Sequence, residues 1–207
     1  MSEKRVVLLV GSPKGIERST SYRLGRVVLD VLKERGFATD AIHVHSAMRS
    51  SDDLERALAA VATADLVIMS LPLYVDSFPA PVIGMLEKIA DRRAGAGRVQ
   101  FALVIQCGFP ESSQNAVALS VAERFAAEAG WEWLGALSLG GLETYGSADP
   151  ALRVAATALA EGKKIPDIAL KKAMPAWLYR IGGNIMWRRA AKKNGVARKL
   201  RARPYED

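Results

Sequence analysis

A single cysteine, Cys107, stands in 207 residues. That excludes an intrachain disulfide, a cysteine-based zinc site and a cysteine-ligated iron–sulfur cluster within one chain. Long apolar runs are missing as well. Runs such as Val6 to Val10 and Ala102 to Ile105 are far short of the roughly 18 to 20 residues of a membrane-crossing helix. The five apolar residues after Lys4 and Arg5 are too few for a signal-peptide core of about 7 to 15, and a cytoplasmic location is expected. Histidine is scarce: His43 and His45 are the only two, and packing or capping roles are expected of them rather than catalysis. Acids thin out towards the end of the chain. Residues 163–207 carry 13 Lys and Arg against 3 Asp and Glu, a net +10, whereas residues 1–162 carry 16 against 19, a net −3. The basic character belongs to the last quarter.

Alternation is what the chain has in abundance. Five short runs rich in Val, Ile and Leu, Arg5 to Val10, Thr39 to Val44, Asp65 to Ser70, Gln100 to Ile105 and Trp133 to Leu139, alternate with segments whose apolar residues recur at helical spacing. The first such segment, Ser21 to Gly36, aligns Leu24, Val27, Val28, Val31 and Leu32. The second is capped by Ser51 or Asp52, the fourth ends at Gly130, and a fifth begins with Pro150 in its first turn and stops at Gly162. Apolar strands joined by helices predict an α/β fold: a doubly wound, five-stranded parallel sheet with helices on both faces. The spacing predicts a domain over 1–163 and a basic, partly helical C-terminal extension over 164–207. In the extension Met174, Trp177, Leu178, Ile181 and Ile185 fall at helical spacing, interrupted by Gly182 and Gly183. Packing on its own domain or on a second subunit is the expected role, with contact to nucleic acid or an anionic membrane as the alternative.

In such sheets ligands bind beyond the carboxyl ends of the strands. Three loops reach that edge: Gly11 to Ser21, Pro72 to Pro81 and Cys107 to Asn115. The first, GSPKGIERSTS, has Gly11 and Gly15 to permit unusual backbone conformations. It also brings hydroxyls at Ser12, Ser19, Thr20 and Ser21 to a helix start, with Lys14 and Arg18 for charge. Free N–H groups and hydroxyls at a helix N-terminus make a phosphate site. The spacing matches neither G-x-G-x-x-G nor G-x-x-x-x-G-K-[ST], so neither the dinucleotide fingerprint nor a P-loop is present. The second loop, LPLYVDSFPAP, joins stiffness from Pro72, Pro79 and Pro81 to apolar and aromatic surface at Leu73, Tyr74 and Val75, with Asp76 able to cap the next turn. That composition suits the wall of a site for a flat aromatic ligand. The last strand's loop, Gly140 to Gly146, brings Tyr145 towards the same edge.

Taken together, GSPKG-x3-STS after the first strand, PLYVDS-x-PAP after the third and CGFPESSQN after the fourth resemble the NADPH-dependent FMN reductase family of flavodoxin-like proteins over about residues 5 to 160. The resemblance implies that Ser12, Lys14, Ser19, Thr20 and Ser21 hold the FMN phosphate. Pro72, Leu73, Tyr74, Val75 and Asp76 would border the isoalloxazine, and Cys107, Gly108 and Phe109 would close its other side. Lys14 stands where such loops often carry arginine, giving a point charge in place of a stacking guanidinium. The implied activity is hydride transfer from NAD(P)H to FMN and on to a small acceptor such as a quinone, a flavin or an azo or nitro compound, with no protein acid or base required. No catalytic side chain and no metal is expected; Cys107, at a strand end without a neighbouring cation, is expected to be inert. A homo-oligomer, dimer or tetramer, is implied. The alternatives are a flavodoxin-like electron carrier and a binding protein with a vestigial flavin site and a basic tail.

Overall fold

The structure, a computed structural model, describes residues 3–141, 148–168, 175–200 and 202. Five strands, β1 (Arg5–Val10), β2 (Ala38–His43), β3 (Leu66–Pro72), β4 (Gln100–Cys107) and β5 (Glu132–Gly140), form one parallel sheet in the order β2-β1-β3-β4-β5. Each lies within two residues of its expected place. The helices are α1 (Thr20–Glu34), α2 (Val44–Ala47), α3 (Ser51–Ala62), α4 (Ala80–Asp91), α5 (Ala116–Ala129), α6 (Asp149–Ala160) and α7 (Ala176–Lys193).

The pleat sends successive side chains to opposite faces. Val6, Leu8 and Val10 of β1 therefore join Leu24, Val28 and Leu32 of α1 and Leu152 and Leu159 of α6 in one core. Val7 and Leu9 join the other, with Leu58 of α3, Met85 of α4 and Phe125 of α5. In the second core Phe101, Phe125 and Trp131 meet edge to face at 5.3–5.7 Å. Each fully buried Leu, Ile or Phe contributes about 1.5–3 kcal/mol.

Local differences from the expected elements have local causes. On α1, Leu29 is buried and Val27 sits at the margin, because this helix packs on α6 as well as on the sheet and so buries a wider arc. The cap of α3 is Ser50, whose Oγ accepts from the Asp53 N–H at 3.3 Å, rather than Ser51 or Asp52; Asp52 and Asp53 occupy the first turn, where the helix dipole favours them. Val44 does not extend β2 but opens the short α2. Gly130 ends α5 in the left-handed region, φ 69°. Beyond α6 the chain runs back along the sheet edge, and the Ile165 N–H donates to the Leu134 carbonyl at 2.7 Å. α7 continues through Gly182 and Gly183 rather than breaking there; Met174 lies outside the described residues. No described helix is long and apolar enough to cross a membrane.

Candidate active site

The strand order reverses between β1 and β3. The connection from β1 goes outward to β2 and that from β3 outward to β4, so the two loops part and leave a crevice at their carboxyl ends. The first loop lies flush on β3. The Gly11 N–H donates to the Ser70 carbonyl at 2.9 Å, and a Cβ on Gly11 would stand 2.8 Å from Leu71 Cβ and 2.7 Å from Val82 Cγ2. Close approach is the reason for this glycine. Neither Gly11 nor Gly15 has a positive φ, so the unusual backbone expected of the first loop is not there.

Hydroxyls gather behind that loop. Ser19 caps α1 by accepting from the Tyr22 N–H at 3.0 Å, and Ser12 Oγ accepts from the Lys14 N–H at 3.3 Å. Ser21, one residue into α1, is 1 % exposed, and its Oγ has no hydrogen-bond partner. Ser70 Oγ donates to the Ser21 carbonyl at 2.7 Å. Thr20 is half-buried at the first turn, and Lys14 and Arg18 are exposed at the rim. The buried polar side chains among the described residues are Ser12, Ser19, Ser21, Ser70 and Asn115, and all five belong to the carboxyl ends of strands or to the loops and helix starts that follow them. Burying a hydroxyl without a partner costs about 1–3 kcal/mol, so Ser21 Oγ is a group prepared for something that arrives.

The loop after β3 is built differently. Tyr74 and Ser77 exchange two backbone hydrogen bonds, at 2.9 and 3.0 Å, around a two-residue turn in which Val75 has φ 46° and Asp76 φ 60°. A β-branched residue in that region costs on the order of 1–3 kcal/mol, and such strain collects at functional sites. Asp76 is thus part of the turn and does not cap α4, whose N-cap is Pro79. Phe78 and Pro79 are buried and anchor the return, Leu73 packs on the core, and Val75 is 98 % exposed with Tyr74 half-exposed beside it. Pro72 ends β3.

From β4, Gly108 has open space where a Cβ would be, and Phe109 is exposed. Cys107 turns inward, its thiol 3.5 Å from the Phe109 carbonyl, and burial pushes the thiol pKa up, which keeps it protonated and unreactive. Asn115 braces this loop from below, donating through Nδ2 to Ser138 Oγ at 3.0 Å and the Leu139 carbonyl at 3.1 Å. Tyr145 lies outside the described residues.

Ser70, Tyr179 and Arg180 were not singled out from sequence, and the two histidines were expected only to pack or cap. Ser70 interrupts the apolar run of β3, and a hydroxyl inside a buried strand was its signal. His43 Nε2 donates to the Ser12 carbonyl at 2.8 Å, so its Nδ1 accepts from Ser46 Oγ at 2.8 Å. Because Val44 starts a helix, His43 and His45 come to one side, their rings 5.8 Å apart. Burial first and then His43 hold the His45 pKa below the usual histidine value, against a backbone hydrogen bond at Gly11. Both rings brace the first loop. They line a cavity of ≈ 280 Å³ with Pro13, Gly15, Ile16, Ser46 and Arg49. From α7, Tyr179 Oη donates to the Gly108 carbonyl at 2.5 Å and Arg180 pairs with Glu111 at 2.7 Å. Among the described residues no cluster of His, Cys, Asp and Glu could hold a metal ion.

Sheet order, helices on both faces and a polar crevice at the β1/β3 switch define a flavodoxin-like α/β protein. The sequence model of the NADPH-dependent FMN reductase family matches residues 4–120, and the chain belongs to that family. It is accordingly an NAD(P)H-dependent oxidoreductase with FMN as its cofactor. Among solved structures it is similar to an apo NADH:FMN oxidoreductase, with 20 % identity and TM-score 0.64 over 83 % of this chain and 96 % of that one. An FMN-dependent NADH-azoreductase from Bacillus anthracis, in complex with FMN, shares 15 % identity and a TM-score of 0.59 over 76 % of this chain and 100 % of that one. An NAD(P)H:quinone oxidoreductase from Methanothermobacter marburgensis gives 15 %, 0.58, 76 % and 96 %. These likenesses are of fold. Among curated proteins none matches. The residues fit the cofactor: an unpartnered buried hydroxyl stands at a helix start, and the loops after β3 and β4 each expose an aromatic side chain, Tyr74 and Phe109.

Proposed function

We propose that this edge holds FMN and passes reducing equivalents from NAD(P)H to a small acceptor, a quinone, a free flavin or an azo or nitro compound. Quinone and azo acceptors are named by two of the structural neighbours. The observation that carries the reading is the gathering of every described buried polar side chain at one end of the sheet.

Ser12, Ser19, Thr20 and Ser21 would donate hydroxyl hydrogens to the phosphate, with the α1 N-terminus and Lys14 adding positive potential. Pro72, Leu73, Tyr74, Val75 and Asp76 would hold one side of the ring system, and Cys107, Gly108 and Phe109 the other. Bound FMN supplies the hydride-accepting and hydride-donating chemistry. The chain's own part is placement: the strained turn at Val75 fixes one wall, the open space at Gly108 admits a flat ring, and Tyr74 and Phe109 exclude water and present stacking surface. His43 and His45 hold the first loop, and burial keeps the His45 pKa below the usual histidine value.

The same reading includes self-association, as a dimer or tetramer, in the cytoplasm. A cavity of ≈ 580 Å³ between α4 and α5, lined by Ile83, Leu86, Ala90, Val117, Val121 and Phe125, supports pairing with a second copy. An anaerobic titration tests the function. The FMN-loaded protein should bleach on addition of NADPH or NADH and recover its colour with a quinone. A protein that takes up no FMN, or whose bound flavin ignores both nicotinamides, overturns the reading.

A further inference from the structure

We propose that α7 is a membrane-surface helix that docks the protein on an anionic lipid bilayer. One side of α7 holds the protein. Tyr179 Oη reaches the Gly108 carbonyl at 2.5 Å and Arg180 reaches Glu111 at 2.7 Å. At about 100° per residue, positions two apart lie on opposite sides of a helix, so Trp177 and Ile181 are turned away from the contact that Tyr179 makes. With Ile185 they recur every fourth residue, and Leu178 flanks them. Trp177 is 62 % exposed and Ile181 and Ile185 are each 47 % exposed. An aliphatic stripe of this kind, one side of it bounded by tryptophan, suits the boundary between headgroups and acyl chains.

The charges select the sign of the surface. Residues 175–200 contain no acid, and the cations of α7 cluster in and after its last two turns, at Arg188, Arg189, Lys192 and Lys193, with Arg198 and Lys199 beyond. A cavity of ≈ 440 Å³ between α7 and the following turn is lined by Arg188, Lys192, Ala197, Arg198 and Leu200. Three cations beside an apolar lip match a headgroup phosphate above its acyl chain. The apolar and basic groups separate along the helix rather than around it, Arg188 and Lys192 continuing the line of Ile181 and Ile185, so the first turns enter the surface while the last lie over the headgroups. Nucleic acid would use the cations but leave the isoleucines without a partner. A second copy of α7 would bring a like cluster of cations against this one. The tether to Gly108 and Glu111 sets the lipid surface beside the loop proposed above to close the flavin, where a lipid-soluble acceptor is at hand. The docking itself does not depend on that reading.

Sedimentation of the full chain with phosphatidylcholine vesicles, with and without phosphatidylglycerol, tests the proposal without any flavin readout. Binding is expected only with phosphatidylglycerol, should weaken with added salt, and should shift the tryptophan emission to the blue. Trp177 and Trp187 are the exposed reporters, Trp131 being buried and Trp133 packed on the core. The pair Arg188→Gln and Lys192→Gln should weaken binding about 30-fold, since each cation near such a surface is worth roughly a factor of five. Ile181→Ser with Ile185→Ser should abolish the blue shift, and an unchanged melting curve will show that both variants fold; if either does not, the salt and lipid dependence of the unaltered protein decides. The proposal is overturned by equal affinity for both vesicles, by no binding at all, by tighter binding to duplex DNA, or by an oligomer that the isoleucine variant turns into monomer while vesicles go unbound.

Discussion

The loops on either side of the β1/β3 crevice are made tense in different ways. The loop after β1 has ordinary backbone throughout and keeps its cost in side chains: Ser12, Ser19 and Ser21 are taken out of water, and Ser21 Oγ has no partner. The loop after β3 exposes Tyr74 and Val75 and keeps its cost in the backbone, at the positive φ of Val75 and Asp76. A phosphate needs hydrogen-bond donors held ready at fixed places, whereas a ring needs a wall of fixed shape. The two loops differ as those two needs differ.

The largest effect is expected where the loops touch. In Gly11→Val even the first added carbon meets Leu71 Cβ, which cannot move without its strand, and the branches then meet Val82. Overpacking of this kind costs up to about 3 kcal/mol. The variant should unfold at clearly lower urea concentration and emerge from purification without flavin. Full stability would show that the first loop is not seated on β3 as described.

Ser21→Ala separates holding a ligand from holding the fold. Removal of a buried, unpartnered hydroxyl should leave stability unchanged or slightly improved, while the loss of a hydrogen bond to a charged phosphate, about 1.5–3 kcal/mol, weakens FMN binding by roughly 10- to 100-fold. Equilibrium dialysis and urea denaturation on the same preparation give both numbers. A destabilised variant with normal FMN affinity would falsify the assignment of Ser21 to the phosphate.

The sequence makes one of these loops more legible than the other. Strands and helices were readable because apolar spacing is imposed by the burial of both sheet faces, and hydroxyls before a helix announce an anion site by composition alone. Gly11 was visible, but its reason was not: glycine reads the same whether it is needed for φ or for space, and only the neighbours Leu71 and Val82 decide. The strain at Val75 has no composition to betray it, since valine ordinarily avoids the left-handed region. Ser50 rather than Ser51 caps α3 because three polar residues in a row all satisfy the pattern, and only the geometry chooses. The histidines are expected from sequence to pack or cap, but the turn into α2 at Val44, which brings both rings to the first loop, depends on tertiary packing of Val44 itself. Tyr179 and Arg180 lie 71 and 69 residues beyond their partners, a pairing that no local pattern carries.

Val75→Gly tests the other half of the comparison and should be the mildest change. The side chain is almost wholly exposed, so its removal forfeits little burial. Glycine accepts a φ of 46° freely, relieving on the order of 1 kcal/mol of strain, and part of that gain is offset by the greater freedom of the unfolded chain. Stability in urea should therefore stay level or rise by less than about 1 kcal/mol. Turnover with a quinone should nevertheless fall, with KM for the acceptor rising more than kcat drops, because the wall proposed to hold the flavin, on which the acceptor would stack, is no longer held in one shape. If the variant loses stability and keeps its KM, the turn is a connector whose strain is incidental, and the contrast between the two loops reduces to the hydroxyls of the first.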